Sequence, residues 1–435
     1  MPDYKYISES EAGAGGVTVQ TGFNADQFGD LELLGTLMQF KEMRKTFWPN
    51  IERGGSVAAP PIIYKDTLYL GACDGIFYAI DMDGDEKWRF ETKAPITIAP
   101  SRWKDLIYVS SMDGNLYALH YKSGKLQWKF ESTKAMWGAA VHGNRLYVAC
   151  ADGNLYALEA ANGRQFWKFS TNATVTAPLV KDDRLYFGFQ DRNLYCLGLD
   201  GRLIWKYEFP DMINTWFFGP GHYKNMLFVG CYDKNVYALD TDGSLVWKYS
   251  GTETMYVPRV WKDRIYVGSR DYNIHCLDAL DGSLVWKFKT GGFLVNVELS
   301  DGKVYGCSHD NNLYCVDADT GKMIWKFKTN GFVNFATPHK GRLYFGSWDC
   351  KLYCVDEGTG RLIWDFKTSL GTPSTIAPPE TGITKTAEIT WTPETEDEKK
   401  KYVGGGGTGD YEINVSQYGV MDKGYASSRK KGYVK

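Results

Sequence analysis

Short apolar runs recur along the chain with the two-residue alternation of strands, and each run ends in a turn signal. Residues 96–130 show the unit. Ile96 to Trp103 is apolar around Ala99-Pro100, Leu106 to Ser111 alternates, and Asp113-Gly114 turns the chain into Leu116 to His120. Ser123-Gly124 then leads into Leu126 to Phe130. Four short strands separated by turns of this kind predict a small antiparallel sheet.

The unit repeats. Its Asp stands at Asp74, Asp113, Asp152, Asp191, Asp233, Asp271, Asp310 and Asp349, at spacings of 39, 39, 39, 42, 38, 39 and 39. Four residues after each comes Tyr78, Tyr117, Tyr156, Tyr195, Tyr237, His275, Tyr314 or Tyr353. A Gly follows, with a Trp four residues later: Gly84/Trp88, Gly124/Trp128, Gly163/Trp167, Gly201/Trp205, Gly243/Trp247, Gly282/Trp286, Gly321/Trp325 and Gly360/Trp364. Within the turns, Asp caps with its side chain and Gly supplies a positive φ. The Trp falls on the outermost strand, where a flat side chain covers the gap to the neighbouring unit.

Eight such sheets arranged radially make an all-β, eight-bladed β-propeller of four-stranded antiparallel blades, a ring that leaves only short, protected edges. No blade can bury both faces alone, so residues 55–369 are expected to fold as one domain. Which strand closes the ring stays open. Thr46-Phe47-Trp48 before Gly54-Gly55 resembles another outer strand, which would make the strand of Trp364 a fifth one. The reverse assignment is favoured, because Trp364 keeps the Gly at −4 that Trp48 lacks.

The motif Asp-Gly-Asn-Leu-Tyr-Ala-Leu at 113–119 and 152–158, followed by Gly-x-x-x-Trp-x-Phe, resembles the repeat of quinoprotein-type (PQQ-like) β-propellers. The resemblance covers roughly 315 of 435 residues. The repeat lacks the Trp-Asp dipeptide of WD40 blades and the longer period of kelch. The resemblance implies eight blades with a tryptophan docking motif between them. That family holds pyrroloquinoline quinone dehydrogenases and also cofactor-free scaffolds such as the outer-membrane assembly lipoprotein.

Outside the repeats the chain changes character. Residues 1–54 form an N-terminal extension in which Leu33, Leu37, Phe40 and Phe47 stand at helical spacing, predicting a short helix over 30–47 outside the ring. Residues 370–410 hold Pro373, Pro378, Pro379 and Pro393 and the run Gly404 to Gly407, and read as a flexible linker. In the basic tail 411–435, Tyr411, Tyr418, Tyr425 and Tyr433 are spaced by 7, 7 and 8. The tail reads either as a solvated, disordered segment or as a docking peptide anchored by its tyrosines; an RNA contact is the least favoured reading, since its few cations lack an aromatic platform.

Charge and cysteine usage narrow the setting. Lys plus Arg is 50 against 52 for Asp plus Glu, a net charge of −2, which excludes a whole-chain electrostatic grip on nucleic acid or an acidic membrane. Met1 to Gly16 is polar and acidic, unlike a signal peptide, and no apolar run is long enough to span a membrane. Of 9 cysteines, Cys196, Cys276, Cys315 and Cys354 occupy a slot that Ala79, Ala118, Ala157 and Ala238 fill elsewhere. That interchange marks small packing residues, not disulfide partners. A reducing, cytoplasmic setting is expected.

Candidate chemistry is thin. Each repeat Asp is accounted for by its turn. His275 fills the Tyr slot, and His120 and Gly198 replace the acidic residue that ends the third strand. Asp81-x-Asp83-Gly84-Asp85-Glu86 resembles the start of a calcium loop, but its twelfth position is Thr92, without the bidentate Glu. Cys350 and Cys354 straddle a turn with no matching pair, so zinc is not expected. No cofactor, metal or catalytic residue is assigned. The innermost strands vary where the rest of the repeat does not, and carry Trp137, Trp216, Phe217, Tyr256, Asn296, Asn334 and Phe335. The longest deviation, 211–222, accounts for the 42-residue spacing. These side chains either plug a central channel or form a recognition surface. The expected function is a non-enzymatic protein–protein scaffold using the propeller face and the tail. The alternative is a quinone- or small-ligand-dependent oxidoreductase with its site in the funnel.

Overall fold

The computed structural model describes residues 54–171, 173–215 and 219–371. Every regular element among them is a strand, and no helix there is long and apolar enough to cross a membrane. The predicted helix over 30–47, the Thr46–Trp48 alternative, the linker from residue 372 and the tail tyrosines lie outside the described residues.

Strands gather into eight antiparallel sheets, each built from consecutive stretches of chain. Blades 1 to 8 occupy residues 62–91, 101–131, 136–170, 179–208, 213–250, 259–289, 294–328 and 333–367. Together they form an eight-bladed β-propeller. In blade 5 the innermost strand is split into Ile213–Asn214 and Gly221–Tyr223, both paired with Met226–Cys231. The extra residues of the long repeat sit in that break.

The outermost strand explains the Gly and Trp pattern. In blade 1, Trp88 pairs with Ala79 and Glu86 with Ile80, leaving Lys87 as a bulge. The same register shift recurs in the other seven blades. A bulge bends and twists the edge strand, and the indole packs on its own blade's second strand, as Trp88 on Tyr69 at 5.9 Å, while reaching the next blade. Trp88 lies against Gly124 of blade 2, Trp128 against Gly163, Trp167 against Gly201 and Trp205 against Gly243. Trp247 then meets Gly282, Trp286 meets Gly321, Trp325 meets Gly360, and Trp364 returns to Gly84 of blade 1. The Gly and Trp of one repeat therefore do not touch each other; each serves a different neighbour. Nor is the gap sealed from solvent. Trp325 is buried, but Trp167, Trp205, Trp286 and the other four are only half-buried, because they stand on an edge strand with no sheet beyond it.

Seven of the eight indole N–H groups donate to a carbonyl at the end of the next blade's third strand, at 3.0–3.2 Å. Trp167 bonds Leu199 O, Trp205 bonds Thr241 O and Trp286 bonds Ala318 O in this way. The eighth, Trp128 Nε1, is buried without such a bond. Ala160 O, its equivalent acceptor, takes the Tyr108 hydroxyl at 2.6 Å.

Directly across from each Trp stands the Ala or Cys slot, as in Cys315 opposite Trp325. Only a small side chain leaves room for the indole beside it. Burial pushes the Cys196 and Cys354 thiols up to about 11 and the Cys276 and Cys315 thiols up to about 12. At neutral pH these thiols stay protonated and serve as packing groups.

Each repeat Asp does more than cap its turn. One oxygen of Asp113 accepts the Asn115 amide at 2.9 Å. The other accepts the Tyr117 hydroxyl at 2.8 Å and the Lys93 amide from the incoming linker at 3.0 Å. Asp310 and Asp349 likewise hold the Gly291 and Asn330 amides of their linkers at 2.8 and 2.9 Å. Positive φ at the residue after the Asp is supplied by Gly only in blades 1 to 3. Arg192, Lys234, Tyr272, Asn311 and Cys350 take φ of 64–76° in the other five, a strained state for a residue with a Cβ.

The ring closes through the strand Leu362–Lys367, the fourth of blade 8. Trp364 Nε1 donates to Met82 O at 3.0 Å, and residues 54–58 thread between blades 8 and 1. There Val57 N donates to Ser347 O at 3.0 Å and Thr368 Oγ1 to Gly55 O at 2.6 Å.

The indole–glycine contact predicts a graded response to alanine. At Gly282 an added Cβ would lie 2.5 Å from Trp247 Cε3, whereas at Gly143 it would meet nothing within 4 Å; both have positive φ. Gly282→Ala is expected to cost about 2–4 kcal/mol through overpacking plus backbone strain, and Gly143→Ala only about 1 kcal/mol. Equilibrium denaturation of the two variants checks this; equal losses would contradict it.

Candidate interaction face around the channel axis

Antiparallel order puts the second-to-third-strand turns and the blade-to-blade linkers at one end of every blade. The residue before each repeat Asp sits there, its amide donating to a linker carbonyl. Cys73 donates to Ser56 O, Arg270 to Thr254 O, His309 to Phe293 O and Trp348 to Phe332 O, at 2.9–3.0 Å. The backbone of this position is constant, while its side chain differs in every blade: Cys73, Met112, Ala151, Gln190, Tyr232, Arg270, His309 and Trp348.

Two of the inner-strand aromatics, Trp137 of blade 3 and Phe335 of blade 8, belong to one apolar cluster with Ala58, Cys73, Ile98, Val175, Phe332 and Trp348. Its members come from blades 8, 1, 2, 3 and 4, which follow one another around the ring. Tyr256 lies half-buried on the inner segment of blade 6, its amide on Gly268 O at 3.0 Å. Trp216 and Phe217 lie outside the described residues.

Blades 7 and 8 also carry polar groups on their inner strands. Asn296 and Asn334 are 2% and 1% exposed, and the Nδ2 atom of each has no hydrogen-bond partner. Asn334 Oδ1 lies 3.0 Å from His309 Nε2, whose ring is sandwiched between Phe293 and Phe332 with centroids 4.1 Å away on each side. The Arg270 guanidinium sits 5.1 Å over the Phe293 ring, and Phe332 lies 5.8 Å from Trp348. The result is a continuous stack from a cation through four aromatic rings across blades 6 to 8.

Sequence reasoning placed Asn296, Asn334, Trp137 and Phe335 on the inner strands but passed over His309, Arg270, Trp348 and the two phenylalanines. Their signal is variability at one fixed register next to an invariant Asp. His275 occupies the Tyr slot as a core residue, with Nε2 2.9 Å from Asp271 Oδ2 and Nδ1 3.1 Å from the Tyr249 hydroxyl. Asp81 Oδ1 accepts the Asp83 and Asp85 amides at 3.0 and 2.9 Å, the bonds of a turn. Among the described residues no group of three or more His, Cys, Asp or Glu side chains is placed to hold a metal. Most of these groups are buried; of the stack only Arg270 and Phe293 keep part of their surface exposed.

The family model described as outer membrane protein assembly factor BamB matches residues 42–135, 112–214, 178–260 and 232–376. These matches run unbroken through all eight blades. The chain belongs to the BamB family. Among solved structures, BamB from Moraxella catarrhalis is similar at a TM-score of 0.57 and 18% identity, over 69% of this chain and 91% of that one. The computationally designed Ika8 protein is similar at a TM-score of 0.61 and 16% identity, over 72% and 98%. No curated protein matches. At these identities the likeness to solved structures is one of fold, so the side chains of the channel face have to be read from this BamB-family chain alone.

His309 gives that face a pH signature. Burial, and secondly the nearby Arg270 charge, push its imidazole from 6.5 down to about 3 against the bond to Asn334. The unfolded ring takes up a proton near 6.5, the folded one only near 3. Its contribution is therefore complete above pH 6.5 and is lost as pH falls, by up to about 1.4 kcal/mol per unit. Asp113 and Asp152 act lower. Burial raises both carboxyls, but their hydrogen bonds outweigh it and hold them below 3.8, so their contribution fades only under that pH. Denaturation midpoints between about pH 6 and 4.5 should fall steadily in the native chain and stay flat in His309→Phe. A flat native profile in that range would show that His309 is accessible and ordinary.

Proposed function

We propose that this chain is a non-enzymatic scaffold that holds protein partners on its channel face and through its C-terminal tail. The observation that carries this reading is the stack of Arg270, Phe293, His309, Phe332 and Trp348 at the turn-and-linker end of blades 6 to 8. Arg270 and Phe293 keep part of their surface exposed there, and aromatics and arginine are the side chains that anchor protein interfaces. The family's description as an assembly factor points the same way.

We further propose that the eight Trp–Gly contacts act as the docking motif of this repeat class and make the face rigid. A preformed surface loses little freedom on binding, which favours affinity. The tail supplies a second element: Tyr411, Tyr418, Tyr425 and Tyr433 are spaced widely enough to engage separate sites on one partner. The compartment belongs to the same proposal. Nine free, buried cysteines, several in a slot shared with alanine, fit a reducing cytoplasm.

Affinity capture of the full-length chain beside a truncation ending at Ser369, read by mass spectrometry and absorbance, tests the reading. The expected result is a defined partner set that is lost with the tail or with alanine at its four tyrosines. A chromophore or stoichiometric metal copurifying with both forms, and no partner, would favour the oxidoreductase alternative instead.

A further inference from the structure

The outer rim of the ring changes character between blades 3 and 4. The two residues before each ring tryptophan stand at the bulge of the outermost strand. In blades 4 to 8 both are large and apolar, and all ten are 41–51% exposed. Blade 7 carries Met323-Ile324 and blade 8 carries Leu362-Ile363. In blades 1 to 3 at least one of the two is polar, as in Glu86-Lys87. Single exposed apolar residues are ordinary, but the same outward slot filled by an apolar pair in five consecutive blades is a patterned surface.

These strands are also open sheet edges, each paired on one side only. Such edges are ordinarily covered or blunted. The edges of blades 7 and 8, like that of blade 6 with its exposed Lys287 and Lys289, are basic as well as apolar. Past the tryptophans, Lys326, Lys328 and Lys367 are exposed, and the one exposed carboxylate on the two strands, Asp365, is held by Lys351 at 3.1 Å.

We propose that residues 26–40 of this chain cover the outer edges of blades 7 and 8. That segment has three carboxylates, Asp26, Asp30 and Glu32, no cation, and seven large apolar side chains between Phe28 and Phe40. It complements an edge that is apolar at one end and carries lysines at the other. Reach is sufficient. Thirteen residues separate Phe40 from Gly54, enough for about 45 Å of extended chain. The chain enters the ring beside blade 8, where Thr368 bonds Gly55. A four-stranded blade is only about 15 Å across.

Charge selects this occupant over the others. Residues 411–435 carry five cations against two carboxylates, Glu412 and Asp422, and would be repelled. A second copy presenting the same edges would set lysines against lysines. The inference is independent of the scaffold reading, which concerns the channel face and the tail.

The test uses the full-length protein with a benzophenone amino acid in place of Ile324 or of Ile363, and in place of Lys87 on blade 1 as the control. After irradiation and digestion, cross-links from both apolar sites should run to peptides containing residues 26–40, with none from Lys87. Asp30→Lys combined with Glu32→Lys should cut the yield about fivefold at low salt, since each reversal turns an attraction into a repulsion. Cross-links to residues 372–435, cross-links between isotopically distinct copies, or no cross-link at either site would each overturn the proposal. Cross-linking unchanged by the double charge reversal would overturn the charge argument for it.

Discussion

The contact of an indole with the glycine of the next blade is the interaction on which the rest of this structure depends. It needs several things at once. A bulge must bend the outer strand, a small residue must stand opposite the tryptophan, and the glycine must lack a Cβ and take a positive φ. All are present in every blade. Because each contact belongs to two blades, no blade is complete without its neighbour. Trp364 on Gly84 turns a row of eight sheets into a ring. The innermost and outermost strands of each blade remain sheet edges, and it is on the outermost that the apolar pairs of blades 4 to 8 lie.

The repeat Asp does the complementary work at the other end of the blade. Asp113 and Asp310 each accept a turn amide, a tyrosine hydroxyl and a linker amide together, and Asp349 accepts the last two, which fixes the path of the chain into the following strand. That path carries Phe293 and Phe332, and the position just before the Asp carries Arg270, His309 and Trp348. The channel face is therefore built from freely varied side chains on an over-determined backbone, which lets one fold present different surfaces. A neutral imidazole held between two phenyl rings is tolerable only because the Asn334 carbonyl oxygen satisfies one of its nitrogens.

Much of the fold could be read from the chain because its determinants are local. Asp, Tyr, Gly and Trp recur at fixed offsets, and their roles in turns and edges follow from side-chain size and backbone freedom. The partner of each tryptophan was not legible in that way. Trp88 meets Gly124, not Gly84 four residues before it, and no spacing rule says so. Trp167, Trp205 and Trp286 likewise pass over their own glycines for those of the following blade. The same limit applies to the channel face. Asn334 and His309 are 25 residues apart and meet only because adjacent blades bring their inner ends together. Arg192 to Cys350 in the positive-φ slot also ran against a glycine rule that held for the first three blades. There the surrounding hydrogen bonds outweigh the local strain.

The central claim is that the blades stabilise one another through one continuous set of indole–glycine contacts, closed between Trp364 and Gly84. Native-state hydrogen exchange resolved by blade tests it most directly. The account predicts that the second and third strands of all eight blades, blades 1 and 8 included, exchange through a single cooperative opening with one free energy. Exchange of blade 1 or blade 8 through a separate, lower-energy opening would show that the ring is not closed by this contact.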